Sequence, residues 1–144
     1  MSYATPILES QPDPFWAYDA IREILEGIDL EAMSPPERTI ALIDRMAGQV
    51  GNGGFDQYFF NDGFEFPQEC RRALAAAGMD RMGALLERAI GIMGEGPYEL
   101  DEEKRRALDA LDQEFYQVDQ EELYPKAVAY IRRHADQFAW PADG

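Results

Sequence analysis

The sequence predicts an all-α fold, a compact single-domain bundle of six or seven helices. Three observations carry this. Apolar residues recur at three- and four-residue steps in most segments, Gly and Pro fall between those segments, and no stretch alternates apolar and polar long enough to require a strand. The chain has 144 residues, 46% hydrophobic and 12% aromatic, enough for one core and too few for two well-packed ones.

The first helix is expected after Asp13-Pro14, a capping acid followed by Pro at the first helical position, with Gly27 as its stop. Tyr18, Ile21, Leu25 and Ile28 form its apolar face. Ser34-Pro35-Pro36-Glu37 is a capping box opening a second helix that carries Ile40, Ile43, Ala47 and Val50. Gly51-Asn52-Gly53-Gly54 is expected to break it, because three glycines in four lose too much backbone entropy to remain helical. Asn52 is placed to cap a short helix over residues 53–61, stopped by Asp62-Gly63. Pro67 starts a fourth helix stopped by Gly78. Asp80 caps a fifth with the stripe Met82, Leu85, Leu86, Ala89. Asp101 caps a sixth bearing Leu108, Leu111, Phe115 and Val118, and a last helix is expected from about residue 120, carrying Leu123, Ala127, Ile131 and His134. Residues 1–12 and 139–144 are read as loose tails, with Trp140-Pro141-Ala142-Asp143-Gly144 either docked or frayed.

The reactive inventory is thin. Ser and Thr number five, all in the first 39 residues, and His134 is the one base available to serve a nucleophile. Cys70 and His134 make the sole Cys–His combination, and both read better as core or boundary residues of their helices. One Cys and one His cannot build a usual zinc site, and neither phosphate-cradling glycine signature occurs. No enzyme activity, metal or cofactor is expected. The single Cys fits a reducing compartment, no signal peptide is visible, and a cytoplasmic location is expected.

Charge is the most informative feature. The formal net charge is −15, which disfavours nucleic acid and anionic membranes as direct ligands. Residues 1–34 hold seven acids against one base (net −6), residues 35–94 are nearly neutral at −2, and residues 95–144 carry −7. Within residues 95–122, eleven acids face three bases. Ten of these are the expected partner-binding carboxylates, chosen for charge density: Glu99, Asp101, Glu102, Glu103, Asp109, Asp112, Glu114, Asp119, Glu121 and Glu122. Carboxylates one helical turn apart lie about 5–6 Å from each other, close enough to phosphate spacing to engage Arg and Lys arranged for a DNA backbone. The plainer role of such acids is a solvated face that keeps the protein soluble.

Six aromatic residues, Phe55, Tyr58, Phe59, Phe60, Phe64 and Phe66, cluster within twelve positions and read as core, because the bases a nucleic-acid stacking platform needs are missing nearby. Gln57 and Asn61, four apart, are placed to hydrogen-bond along one helix face. The run Asn52-Gly53-Gly54-Phe55-Asp56-Gln57-Tyr58-Phe59-Phe60-Asn61 resembles the N-G-G-F-x-Q-[FY]-[FY]-x-N signature of a bacterial family that includes a DNA-mimic protein, an all-α family mostly of unknown function. Leu111-Asp112-Gln113-Glu114-Phe115-Tyr116 and Tyr130-Ile131-Arg132-Arg133-His134 resemble its C-terminal helices, so the likeness covers about residues 38–138. The signature residues Asn52, Gly53, Gly54, Phe55, Gln57, Tyr58 and Asn61 mark a fold more than a surface. The resemblance implies an all-α domain and, from the family's best-known member, a homodimer whose acidic surface binds a helix-turn-helix transcription factor and blocks operator binding. The expected function is a non-enzymatic acidic interaction protein with a basic DNA-binding partner. The alternatives are an immunity-type or inhibitor module for another basic protein, and an enzyme relying on carboxylates or on Cys70 and His134.

Overall fold

A computed structural model describes residues 1–140. It contains six α-helices: α1 (Ala4–Ser10), α2 (Pro14–Glu26), α3 (Pro35–Asp62), α4 (Glu65–Ala76), α5 (Asp80–Met93) and α6 (Glu102–Arg133). Single 3₁₀ turns follow α2 at Leu30–Ala32 and α6 at Ala135–Gln137. No strand forms among the described residues, so the fold is all-α, as the periodicity predicts. No helix among them is long and apolar enough to cross a membrane.

The caps read from the sequence explain three helix starts. Asp13 accepts the Phe15 N–H ahead of Pro14, Ser34 and Glu37 form a reciprocal capping box, and Asp101 accepts the Lys104 N–H. The long helix α6 is the spine, packing against α1, α2, α3 and α5, while α4 bridges α3 and α5. Tyr58, Phe55, Phe59, Phe115 and Phe138 are the largest fully buried side chains, and Phe55 meets Phe115 edge-on at 5.7 Å. The aromatic cluster is thus mostly core, although Phe60 is 70% exposed.

Several boundaries differ from expectation. Residues 4–10 are helical rather than a loose tail, with Tyr3, Ala4 and Leu8 buried. The described end is held too: the Tyr3 N–H donates to the Phe138 carbonyl at 2.9 Å, and Trp140 packs on Tyr3 with ring centroids 5.1 Å apart. Residues 141–144 lie outside the described residues. The break expected in the Gly51-Asn52-Gly53-Gly54 run is there, at Gly53 (φ −146°) and Gly54 (φ 80°), but it is a kink joining two limbs of one α3 rather than a gap between two helices. Helix α4 begins at Glu65, two residues before Pro67. The two helices expected after Asp101 are one continuous α6, because no Gly separates Val118 from Leu123 and the buried stripe runs unbroken through Ala127 and Ile131; Pro125 is tolerated inside it.

Candidate functional site

The ten carboxylates singled out by charge density are not one free row. Asp112 and Glu122 are buried at 8% and 4% exposure and face inward. Glu122 accepts the N–H groups of Arg81 (3.1 Å) and Met82 (2.8 Å), capping α5. It does the work expected of Asp80, which lies inside the first turn. Asp112 accepts the Phe55 N–H at 2.8 Å and caps the second limb of α3, the role expected of Asn52. Both corrections share one physical cause: a helix start within the core can be capped by an acid from a neighbouring helix, and such a partner leaves no local sequence pattern.

Of the remaining eight, Asp101 caps its own helix. Glu102 pairs with Arg106 at 3.4 Å, Glu114 with Arg88 at 2.9 Å and Glu121 with Arg81 at 2.8 Å. Glu99, Glu103 and Asp109 are exposed and carry no ion pair among the described residues. Asp119 is half-buried, and its Oδ1 is the one buried side-chain polar atom among the described residues without a hydrogen-bond partner.

Gly53 and Gly54 make the kink, and the residues that follow anchor it. Phe55 and Tyr58 fill the core, and a Cβ at Gly53 would fall 2.0 Å from Gln57 Oε1. Gln57 and Asn61 do not bond each other; both donate to Gln49 Oε1, at 2.7 and 2.9 Å, while Asn52 donates to Gln57 at 3.1 Å. Gln49 escaped the sequence reading because it precedes the glycines.

Cys70 is fully buried, its thiol directed at the Leu42 carbonyl (3.6 Å) and pushed up to about 12 by burial, so it does not supply a thiolate near neutral pH. His134 lies against Tyr130 with ring centroids 4.5 Å apart. The two therefore sit in separate surroundings. Among the described residues no cluster of three His, Cys, Asp or Glu side chains is placed to hold a metal ion.

The fold brings the two acidic ends of the chain together. On α2, positions 15, 18, 19, 22 and 26 share one face, and that face packs on α6 around Asp119 and Tyr124: Phe15 and Tyr18 meet the Tyr124 ring at 5.1 and 5.4 Å. A cleft of about 380 Å³ opens at this seam, with Asp19 and Glu26 from α2, Asp44 from α3 and Asp119 from α6 on its walls. Arg22 is the sole cation lining it, and is already bound to Asp19 (2.7 Å) and Glu26. Asp44 accepts the Tyr18 hydroxyl. Burial holds the carboxyls of Asp44 and Asp119 above the usual range; the Tyr18 bond and Arg22 oppose this at Asp44, whereas nothing opposes it at Asp119. Of these groups only Asp119 stood out in the sequence. The others had a signal, acids and aromatics sharing one face of α2 and an acid, Asp44, beside the apolar stripe of α3.

Residues 31–134 match the family model described as DMP19-like protein. No curated protein and no solved structure matches the chain.

Proposed function

This chain belongs to the DMP19-like family, and on that premise we propose that it is a DNA mimic, a non-enzymatic interaction protein whose carboxylates occupy the DNA-binding face of a basic partner such as a helix-turn-helix transcription factor. One observation carries the reading. A net charge of −15 is concentrated at the two ends of the chain, and α2 from one end packs on α6 from the other, which makes the two acidic segments neighbours. The thirteen Lys and Arg side chains leave fifteen acids in surplus, and six of the eleven arginines are already tied to carboxylates. Exposed Glu99, Glu103 and Asp109, with the half-buried Asp119, are the acids of α6 and its approach that remain for a partner; Asp112 and Glu122 are structural.

The test is competition. Tagged protein retains the partner at ~0.05 M salt and releases it at ~0.5 M, where the Debye length shortens from roughly 14 Å to about 4 Å. Added chain then displaces operator DNA from that partner in a stoichiometric mobility-shift titration. A partner that binds DNA and this chain at the same time overturns the mimic reading and favours an inhibitor or immunity-type module acting away from the DNA face.

A further inference from the structure

We propose that the exposed aromatic corner at the start of α2, Phe15 with Trp16, is an apolar anchor for the basic partner, seating an aliphatic side chain that the partner carries among its lysines and arginines. This rests on the reading above only in taking the partner to be a basic protein.

The local sequence makes the corner apolar. Pro12, Pro14, Phe15 and Trp16 are all exposed, and the two prolines bring no N–H to the surface. Phe15 is 42% and Trp16 57% exposed. Among the described residues they are the one pair of exposed aromatic side chains whose rings meet, edge-on at 4.9 Å. Exposed apolar residues scattered singly need no explanation, whereas adjoining ones mark contact surfaces.

The corner is held in place before any partner arrives. Asp13 accepts the Phe15 N–H at 2.9 Å, Pro14 sets the first helical residue, and the Phe15 ring meets Tyr124 of α6 at 5.1 Å. Rings fixed in advance lose little freedom on binding, and Trp is enriched among the residues that anchor protein interfaces.

Charge decides what covers it. The first 34 residues hold seven acids against one base, and that base, Arg22, is bound to Asp19 and Glu26. Asp13 and Glu23 are exposed and carry no ion pair among the described residues; Glu23 lies two turns from Trp16 along the same face of α2. A second copy of this chain brings another −15 to the corner and is repelled, as is an anionic membrane. A surface of Lys and Arg is drawn in. The carboxylates then supply the part of the affinity that salt screens, and the two rings a part that it does not.

The probe is the cationic amphipathic peptide made of two repeats of Lys-Leu-Ala-Lys-Leu-Ala-Lys, acetylated and amidated. Its control has every Leu replaced by Ala at equal charge. Both are titrated into the full chain carrying Trp140→Phe, which leaves Trp16 as the single indole, at salt from ~0.05 to ~0.2 M. The Leu peptide should move the Trp16 emission to the blue saturably and bind at least about 10-fold tighter than the Ala peptide. By calorimetry, Trp16→Ser should weaken the Leu peptide about 10-fold, by the same factor at every salt concentration, and leave the Ala peptide unchanged. Trp16 is mostly exposed and Ser matches Trp in helix propensity, so the variant folds. Phe60→Ser, which removes a 70% exposed ring from α3, should change binding less than about 2-fold.

Equal binding of the two peptides, an equal loss in Phe60→Ser and Trp16→Ser, or a loss in Trp16→Ser that fades as salt rises overturns the assignment. So does a blue shift that grows with protein concentration alone, in favour of a second copy, or one given by phosphatidylcholine vesicles and not by the peptide, in favour of a lipid surface. The two readings fail separately. A partner that contacts DNA and this chain together, yet is weakened equally at every salt concentration by Trp16→Ser, removes the mimic and supports the anchor. A partner displaced by DNA but held equally by Trp16→Ser keeps the mimic and removes the anchor.

Discussion

Asp112 on α6 accepts the Phe55 N–H at 2.8 Å, joining residues 57 positions apart and capping the limb of α3 that starts at the Gly54 kink. The same carboxylate explains the glycine. Gly54 has φ 80°, and a Cβ on it would approach Asp112 Oδ2 to 2.3 Å. Gly54 is therefore matched to an acid in a distant helix.

Gly54→Ala should destabilise the protein by about 2–4 kcal/mol, from the left-handed backbone and from displacement of the capping carboxylate. Asp112→Ala should cost about 1–2 kcal/mol, and Asp112→Asn no more than about 0.5 kcal/mol, because an amide oxygen still accepts the Phe55 N–H and the charge that burial disfavours is gone. Urea unfolding of the three variants tests this. An Asn variant as damaged as the Ala variant would show that the charge, not the acceptor, holds the kink.

Glu122 makes the parallel prediction for α5. With two N–H groups accepted and 4% exposure, Glu122→Ala should cost about 1–3 kcal/mol, whereas Asp80→Ala should cost less than about 0.5 kcal/mol. Thermal unfolding of both variants decides it, and the opposite order would return the cap to Asp80. Partner affinity of Glu122→Gln should be unchanged, because this carboxylate faces α5.

These two acids mark the limit of what the sequence makes legible. Helix existence, the local caps at Asp13, Ser34 and Asp101, and most of the buried stripes follow from patterns within a few residues, and the structure repeats them. Asp112 and Glu122 look in sequence like neighbours in an acidic run. Which of them is buried depends on where Phe55 and Met82 come to rest, and this is set by packing rather than spacing. The cleft was hidden for the same reason: Asp19, Asp44 and Asp119 come from three helices and meet only after α2 folds onto α6.

Arg45 and Asp62 close α3 on itself across 17 residues by two parallel hydrogen bonds of 2.8 Å. The side chain of Asp62 is 1% exposed and that of Arg45 43%, so the partners are not equivalent. Arg45→Ala leaves a buried carboxylate without its cation and should cost about 2–4 kcal/mol. Adding Asp62→Asn to it should restore at least ~1 kcal/mol, because the charge is then removed from the buried site. Denaturant unfolding of the single and double variants measures the coupling; a double variant less stable than Arg45→Ala would mean that Asp62 serves the core in some way other than through Arg45.

Asp119 should give the protein a stability that depends on pH in a direction opposite to that of a salt-bridged acid. Burial raises its carboxyl above the ordinary 3.8, with Asp44, Asp19 and Glu26 nearby and Arg22 already engaged. Between the ordinary value and the raised one, the folded state holds more protons than the unfolded state. Stability from this group therefore falls as pH rises through the raised value, and at neutral pH the whole penalty of ionising this half-buried carboxylate, with its Oδ1 unpartnered, is present. Asp119→Asn removes the ionisation, so it should be more stable than the parent at pH 7, by about 1 kcal/mol or roughly 3 °C in Tm, and the advantage should shrink towards zero near pH ~4. Calorimetry of both proteins at the two pH values isolates the effect, since Asp44 and Asp112 titrate in both. An advantage of equal size at both pH values would assign it to packing.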